Sequence, residues 1–252
     1  MENQVFCEDC LTTIKRLDSV DFVITSPPYN MNRRIHTGKY TKRTPSEKDL
    51  STKYKFYTDD LMPDEYFEWQ KNVIEGLLKI TKNCVFYNIQ PLTGNKLALF
   101  RLIGHFSDRI KDIIVWDKIR AEPAIQSGVL NSQFEFIIVF APTAIDAMSR
   151  SYDAPFQRGT VSNVVKIDKN SNRDNSELNS AKMPDKLAQW LIQNFTKEGD
   201  LIYDPFCGLG TTLIQSKLLG RKYIGSDIDA ECIKITEQAL LQTTDHTKTN
   251  FF

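Results

Sequence analysis

Short apolar runs recur along the chain at residues 4–7, 21–24, 83–88, 110–116, 134–140, 201–203 and 222–225. They are too short for helices and rich in Val, Ile, Phe and Tyr, which predicts strands. Between several of them, apolar residues fall at three- and four-residue spacing, over 65–80, 184–195 and 230–241. That spacing predicts amphipathic helices. Strands alternating with helices predict an α/β fold, a mostly parallel, doubly wound sheet with helices on both faces. The runs 110–116 and 134–140 are the pair that could instead form an antiparallel edge. Two stretches carry no apolar periodicity, 31–55 and the Asn/Ser-rich, polar 142–182. Loops of that length inside a compact domain are usually functional or disordered.

The 252 residues suffice for one large domain or two small ones. With 41% hydrophobic and 25% charged residues, the composition is that of a soluble globular protein. The sequence contains no membrane-length apolar run, and its first residues lack the pattern of a signal peptide, so a cytoplasmic location is expected. Thirty-two Lys and Arg balance 32 Asp and Glu, so net charge points to no partner and any nucleic-acid surface must come from local clustering. One such cluster exists: residues 31–55 hold eight Lys/Arg against two acids, a local charge of +6. The five cysteines include one CxxC, Cys7 and Cys10, with no second pair and scattered histidines. No metal site is expected, and reduced, mostly buried thiols are.

The run at 20–24 leads into Thr25-Ser26-Pro27-Pro28-Tyr29-Asn30. Two consecutive prolines continue neither a sheet ladder nor a helix, so the backbone is held stiff and extended. Ser26 offers an oxygen, the Pro27 carbonyl a second, and Tyr29 a flat face. Two acceptors beside a stacking ring suit a planar group bearing an NH2, such as a nucleobase. A Pro-Pro loop with Tyr29 capping the core fits the hexapeptide equally well.

Downstream, Tyr203-Asp204-Pro205-Phe206-Cys207-Gly208-Leu209-Gly210-Thr211-Thr212 is a strand, a glycine turn and a helix start. Gly208 and Gly210 permit close approach to the backbone. The free N–H groups opening the next helix suit an anion. The stretch is neither a Walker loop nor a dinucleotide GxGxxG. A further strand then ends at Asp227, where an acid is placed to hold two ribose hydroxyls. A ligand with a ribose and an anionic tail but no pyrophosphate is implied, and S-adenosylmethionine fits. The plainer alternatives are a tight turn in any doubly wound sheet and, for Asp227, a helix N-cap.

Together, TSPPYN and the later DPFCGLGTT resemble the paired motifs of amino-group DNA methyltransferases, with the catalytic motif first, as in that family's β order. The likeness covers nearly the whole chain. Phe6-Cys7-Glu8-Asp9-Cys10 resembles the acidic strand end near the cofactor's adenosine. Tyr57-Thr58-Asp59-Asp60 and the helix bearing Tyr66, Phe67 and Trp69 resemble the family's continuation of the catalytic motif. Ile114 to Lys118 and Phe134-Glu135-Phe136 resemble its later sheet motifs. Pro184 resembles the segment that closes on the methionine moiety, although Asn179-Ser180 stands where many members carry His-Pro.

The resemblance implies a single methyltransferase domain over 1–252 with a seven-stranded, circularly permuted sheet. One strand of that sheet is antiparallel, and residues 5–7 lie beside 222–225. It implies a basic loop insertion at 31–56 and target recognition within 142–182. Ser26, Pro27, Pro28 and Tyr29 would be catalytic. Cys7, Asp9, Asp204, Phe206, Gly208, Gly210, Thr211, Thr212, Asp227 and Pro184 would bind S-adenosylmethionine. Arg33, Arg34, Lys39, Lys42 and Arg43 are candidates to contact double-stranded DNA. Ser26 and the Pro27 carbonyl would hold the exocyclic amine of a flipped base against Tyr29. No covalent adduct with the base is needed, and Cys207 reads as a packing residue. Ser as first residue of the tetrad leans toward cytosine N4, whereas Asp there leans toward adenine N6. The short recognition segment leaves room for a homodimer or for a companion methyltransferase or restriction subunit. RNA and protein methyltransferases usually carry the glycine motif first, which disfavours them here, and the intact motifs argue against a purely DNA-binding subunit.

Overall fold

Ten strands and seven helices form among the described residues of the chain, a computed structural model in which 1–31, 33–36, 39–42, 59–122, 127–169 and 182–243 are described. In chain order the first elements are β1 (Gln4–Cys7), α1 (Cys10–Arg16), β2 (Val20–Thr25), β3 (Arg33–His36), β4 (Lys39–Lys42) and α2 (Pro63–Ile80). Then come β5 (Thr81–Ile89), α3 (Lys96–His105), β6 (Ile110–Glu122), β7 (Ser132–Phe140), α4 (Ala144–Met148) and β8 (Val164–Lys166). The chain continues with α5 (Asp185–Phe195), β9 (Leu201–Asp204), α6 (Thr211–Leu218), β10 (Lys222–Asp227) and α7 (Ala230–Gln242).

Eight strands form one sheet in the order β1-β10-β9-β2-β5-β7-β6-β8. β7 runs antiparallel to β5 and β6, and every other pairing is parallel. The expected reversed strand is therefore β7. The permuted N-terminal pairing is present too, with Val5 opposite Gly225 and Cys7 opposite Asp227. The sheet has one strand more than the seven expected. β8, three residues long, adds to the β6 edge from within the polar segment 142–182. Its only buried residue is Val165, too little apolar pattern to announce a strand. The basic stretch is likewise not all loop, since β3 and β4 pair as a separate antiparallel hairpin.

Side-chain alternation along the strands separates two cores. Val23, Val85, Tyr87, Ile89, Ile138 and Phe140 face one side and pack with α1, α2 and α3. Phe22, Ile24, Cys84, Phe86, Ile114, Trp116, Ile137 and Val139 face the other and pack with α5. A smaller cluster under α6 and α7 joins Leu213, Tyr223, Ile233 and Leu240. α2 begins with Pro63 at its first position, where the missing N–H costs nothing, and Glu65 accepts from the Met62 N–H at 2.8 Å. No helix among the described residues is long and apolar enough to cross a membrane.

Candidate active site

β2 and β9 are adjacent parallel strands, with Val23 opposite Tyr203. The hexapeptide follows the carboxyl end of one and the glycine turn follows the carboxyl end of the other. Helices that follow β2 lie on one face and α6, which follows β9, packs with α5 on the other. Such a switch point opens a crevice at the strand ends, the usual ligand position in sheets of this type. The two motifs, far apart in sequence, are thus neighbours, and the Thr25 hydroxyl donates to Asp204 Oδ1 at 2.7 Å.

The hexapeptide is fastened from several sides. The Tyr66 hydroxyl donates to the Pro28 carbonyl at 2.7 Å, and Asn95 Nδ2 to the Tyr29 carbonyl at 2.9 Å. Asn30 adopts a left-handed backbone, φ 57°, which Asn tolerates well. Its N–H and that of Met31 donate to the two oxygens of Asp59, at 2.6 and 2.8 Å. Among the described residues nothing donates to the Pro27 carbonyl, although its neighbours are engaged. Ser26 and Tyr29 are half-buried. The Tyr29 ring packs against the first core, as the plainer alternative expected. Its hydroxyl nonetheless enters a polar network.

That network lies on the second face of the sheet, and its members continue the apolar rows there. Ser26 stands two residues beyond Ile24, Asn88 two beyond Phe86, Lys118 two beyond Trp116, and Glu135 two before Ile137. Ser26 Oγ and Tyr29 Oη are 2.9 Å apart, and Tyr29 Oη donates to Glu135 Oε2 at 2.8 Å. Asn88 Nδ2 donates to Tyr29 Oη at 2.7 Å and to Glu135 Oε2 at 2.9 Å. Lys118 Nζ lies 3.6 Å from Glu135 Oε1, with both side chains buried. Asn88 Oδ1 is buried without a hydrogen-bond partner, the consequence of turning its amide N–H toward the carboxylate. From sequence, Lys118 and Glu135 stand only within sheet motifs and Asn88 only at the end of an apolar run, and none of the three carries a role there. A period-two reading of each strand would have found all three, as polar residues extending an apolar row.

At the cofactor-type turn, Asp204 is buried and accepts from Thr25 and from the Phe206 N–H at 3.1 Å. Burial pushes its carboxyl up to about 6. Asp227 Oδ2 accepts from the Gly208 N–H and Oδ1 from the Asp229 N–H, each at 2.9 Å, and burial again pushes the carboxyl up. The N-cap of α7 is Asp229 rather than Asp227. Gly208 and Gly210 both have positive φ, 48° and 77°. A Cβ on Gly210 would lie 2.4 Å from Thr236 Cγ2, whereas one on Gly208 would meet nothing within 4 Å. The space above Gly208 is therefore open. Thr211 and Thr212 open α6, both buried, and Thr211 Oγ1 has no hydrogen-bond partner. Phe206 meets Trp69 edge-on at 5.9 Å, and Trp69 meets Tyr66 at the same distance, so α2 braces both motifs.

The remaining candidates are placed less centrally. Cys7 ends β1 beside Asp227 and is exposed. Asp9 is the N-cap of α1, accepting from Leu11 N at 2.8 Å. Pro184 is the N-cap residue of α5. Arg33, Arg34, Lys39 and Lys42 lie on the β3–β4 hairpin, with Arg33 opposite Lys42. Arg43, Tyr57, Thr58, Asn179 and Ser180 lie outside the described residues. All five cysteines are free thiols, and burial pushes Cys10 and Cys84 up to about 12 and Cys207 well above the ordinary value. No cluster of three or more metal-ligating side chains occurs among the described residues.

A doubly wound sheet with this paired site belongs to a recognisable class. The profile of the N6/N4 DNA methylase family matches residues 20–238, and the chain belongs to that family of amino-group DNA methyltransferases. It is similar to the type II methyltransferase M.BglII of Bacillus subtilis, at 23% identity over 94% of this chain and 69% of that protein. A shorter stretch, 23% of this chain and 21% of the relative, is 47% identical to the type II methyltransferase M2.DpnII of Streptococcus pneumoniae. Among solved structures, the cytosine-N4-specific PvuII DNA methyltransferase superposes with a TM-score of 0.71 at 15% identity, over 97% of this chain and 88% of its own. The complex of M1.HpyAVI with SAM gives 0.57 at 18% identity, over 93% and 98%. At such identities the structural likeness speaks for the fold.

Proposed function

We propose that the protein transfers a methyl group from S-adenosylmethionine to the N4 amine of cytosine in double-stranded DNA. The observation that carries this reading is the hydrogen bond from Thr25 to Asp204, which sets the amine-type site and the cofactor-type turn side by side. The residues present fit the cofactor. The open space above Gly208, the unpartnered Thr211 hydroxyl and the N–H groups opening α6 suit its polar tail. Asp227 keeps lone pairs for ribose hydroxyls, and the ionised form of Asp204 suits a cationic group. When bound, S-adenosylmethionine supplies a methyl group made electrophilic by a sulfonium.

The chain's own part is to prepare the amine. An exocyclic amine is a poor nucleophile because its lone pair is delocalised into the ring. Ser26 Oγ and the Pro27 carbonyl accept its two N–H bonds and draw the nitrogen toward tetrahedral geometry. Tyr29 stacks on the base once it has left the duplex, a step costing a few kcal/mol. Most of the acceleration comes from holding two reactants in one oriented site. The cytosine-N4 specificity of the PvuII enzyme and the Ser at position 26 both support cytosine.

The test is incubation with tritiated S-adenosylmethionine and unmethylated DNA, RNA and protein, followed by digestion of labelled DNA to nucleosides. Label in N4-methylcytosine is expected. Label in N6-methyladenine would replace the base and keep the class. Absence of label from every polymer, with DNA still bound, would leave a binding subunit.

A further inference from the structure

Glu135 is an acceptor only, and that fixes the direction of every hydrogen bond above it. Tyr29 has a single hydroxyl proton, and it goes to Glu135 Oε2. The 2.9 Å contact between Ser26 and Tyr29 must then be made with the Ser26 proton. Asn88 cannot reverse this. Its Nδ2 faces both Tyr29 Oη and Glu135 Oε2, and a flipped amide would set an oxygen against the carboxylate. Ser26 Oγ is thereby left with lone pairs alone: one faces Asn88 Nδ2 at 3.4 Å, and the other is in the state needed to accept an amine N–H.

The same chain runs the other way as a proton path. We propose that Ser26, Tyr29 and Glu135 form a relay that takes up the proton released in methyl transfer, with Glu135 as its terminal acceptor and Lys118 as the positioning residue that holds it. The proposal rests on the methyltransferase reading. As the new N–C bond forms and the donor's S–C bond breaks, the donor becomes a neutral thioether and the base nitrogen carries one proton too many. That proton passes to Ser26 Oγ, the Ser26 proton to Tyr29 Oη, and the Tyr29 proton to Glu135 Oε2. Atoms and charge balance with no further reactant. A weak base suffices, because the neutral methylated amine regains its delocalisation into the ring.

The local backbone supports a functional Lys118. The ladder between β6 and β7 shifts register between Asp117 and Glu122, and Ile119, a β-branched residue, has φ 65°. Bulges beside active sites commonly re-aim a side chain, and a strained residue is an observation that asks for a purpose. Here the Asp117 carboxylate holds the irregularity, accepting from the Ile119 N–H at 2.8 Å and from Gln133 Nε2 at 2.9 Å. Lys118, next in line, is fully buried beside Glu135.

The test is a mutant cycle of Tyr29→Phe and Glu135→Gln, read by single-turnover methylation, by affinities for S-adenosylmethionine and DNA, and by melting temperature. A relay acting as one unit predicts that each single variant loses on the order of a hundredfold in rate and that the double loses no more than the worse single. Affinities should stay within about threefold. Glu135→Asp, which keeps a carboxylate, should recover at least tenfold over Glu135→Gln. Rates that multiply in the double variant, or no recovery with Asp, overturn the relay while the wild type still methylates DNA. A wild type that methylates nothing overturns the functional reading and the relay with it.

Discussion

The Thr25 hydroxyl reaches Asp204 Oδ1 across 2.7 Å, joining residues 179 positions apart at the ends of neighbouring strands. The bond matters because Asp204 is a buried carboxylate held at about 6 against an ordinary 3.8, chiefly by burial. A raised pKa in the folded state means that the folded protein binds this proton more tightly than the unfolded chain. The stabilisation is therefore complete below about pH 3.8 and is lost as pH rises through about 6. Holding the ionised form at neutral pH costs on the order of 3 kcal/mol. Asp204→Asn removes that cost and keeps an oxygen for Thr25 and the Phe206 N–H. We expect the ligand-free variant to melt above the wild type at pH 7.5, the gap closing near pH 4, and to bind S-adenosylmethionine more weakly. Paired thermal melts with and without cofactor would check this, and a wild type more stable than the variant at pH 7.5 would refute it.

Gly208 and Gly210 separate stability from ligand binding. Both adopt left-handed backbone, so alanine at either costs about 1–2 kcal/mol. At Gly210 the added methyl also lands 2.4 Å from Thr236, and overpacking adds about 1–3 kcal/mol. At Gly208 the methyl meets no protein atom within 4 Å. Denaturant melts should show Gly210→Ala losing clearly more stability than Gly208→Ala. Calorimetric titration should show Gly208→Ala losing at least tenfold in affinity for S-adenosylmethionine. Undiminished affinity would mean that the open space is not the cofactor's.

The two ends of the site were legible because each motif is contiguous: prolines, glycines and acids stand next to the strand that delivers them. The permuted pairing of Val5 with Gly225 followed from the circular motif order that the family resemblance implies. What the sequence hid depends on direction rather than identity. Asn88, Lys118 and Glu135 sit on three different strands and meet only because the same face of each is continued by one step. α1 and α3, of seven and ten residues, are too short to display a helical period over several turns. β3 and β4 are four residues each and hold one apolar or aromatic residue apiece, Ile35 and Tyr40, too few for an alternation to show.

Ile119 shows where local geometry has been sacrificed. Its side chain is 51% exposed, so it contributes little packing, yet its φ of 65° is unfavourable for a β-branched residue. Glycine would relieve about 1–2 kcal/mol and give back about 0.4–1 kcal/mol through a more flexible unfolded chain. Ile119→Gly should therefore raise the denaturant midpoint by an amount equivalent to at most about 1.5 kcal/mol, with an unchanged slope. A lowered midpoint would show that the isoleucine side chain contributes more than its exposure suggests.

The basic hairpin directly follows the fastened hexapeptide, whose last residue Asn30 is tied to Asp59. β3 and β4 carry Arg33, Arg34, Lys39 and Lys42 on a ribbon separate from the main sheet, and Lys39 is exposed. If this ribbon lies along the phosphates beside the flipped base, each cation that neutralises a phosphate contributes about 0.9 to the slope of log affinity against log salt. Replacing these four residues and Arg43 by glutamine should make that slope shallower by up to about 4.5 and weaken binding to all duplex sequences alike. Fluorescence anisotropy with a labelled duplex across a salt series measures it directly. A slope equal to that of the wild type would assign the charges to solvent and leave DNA contact to the polar segment between α4 and α5.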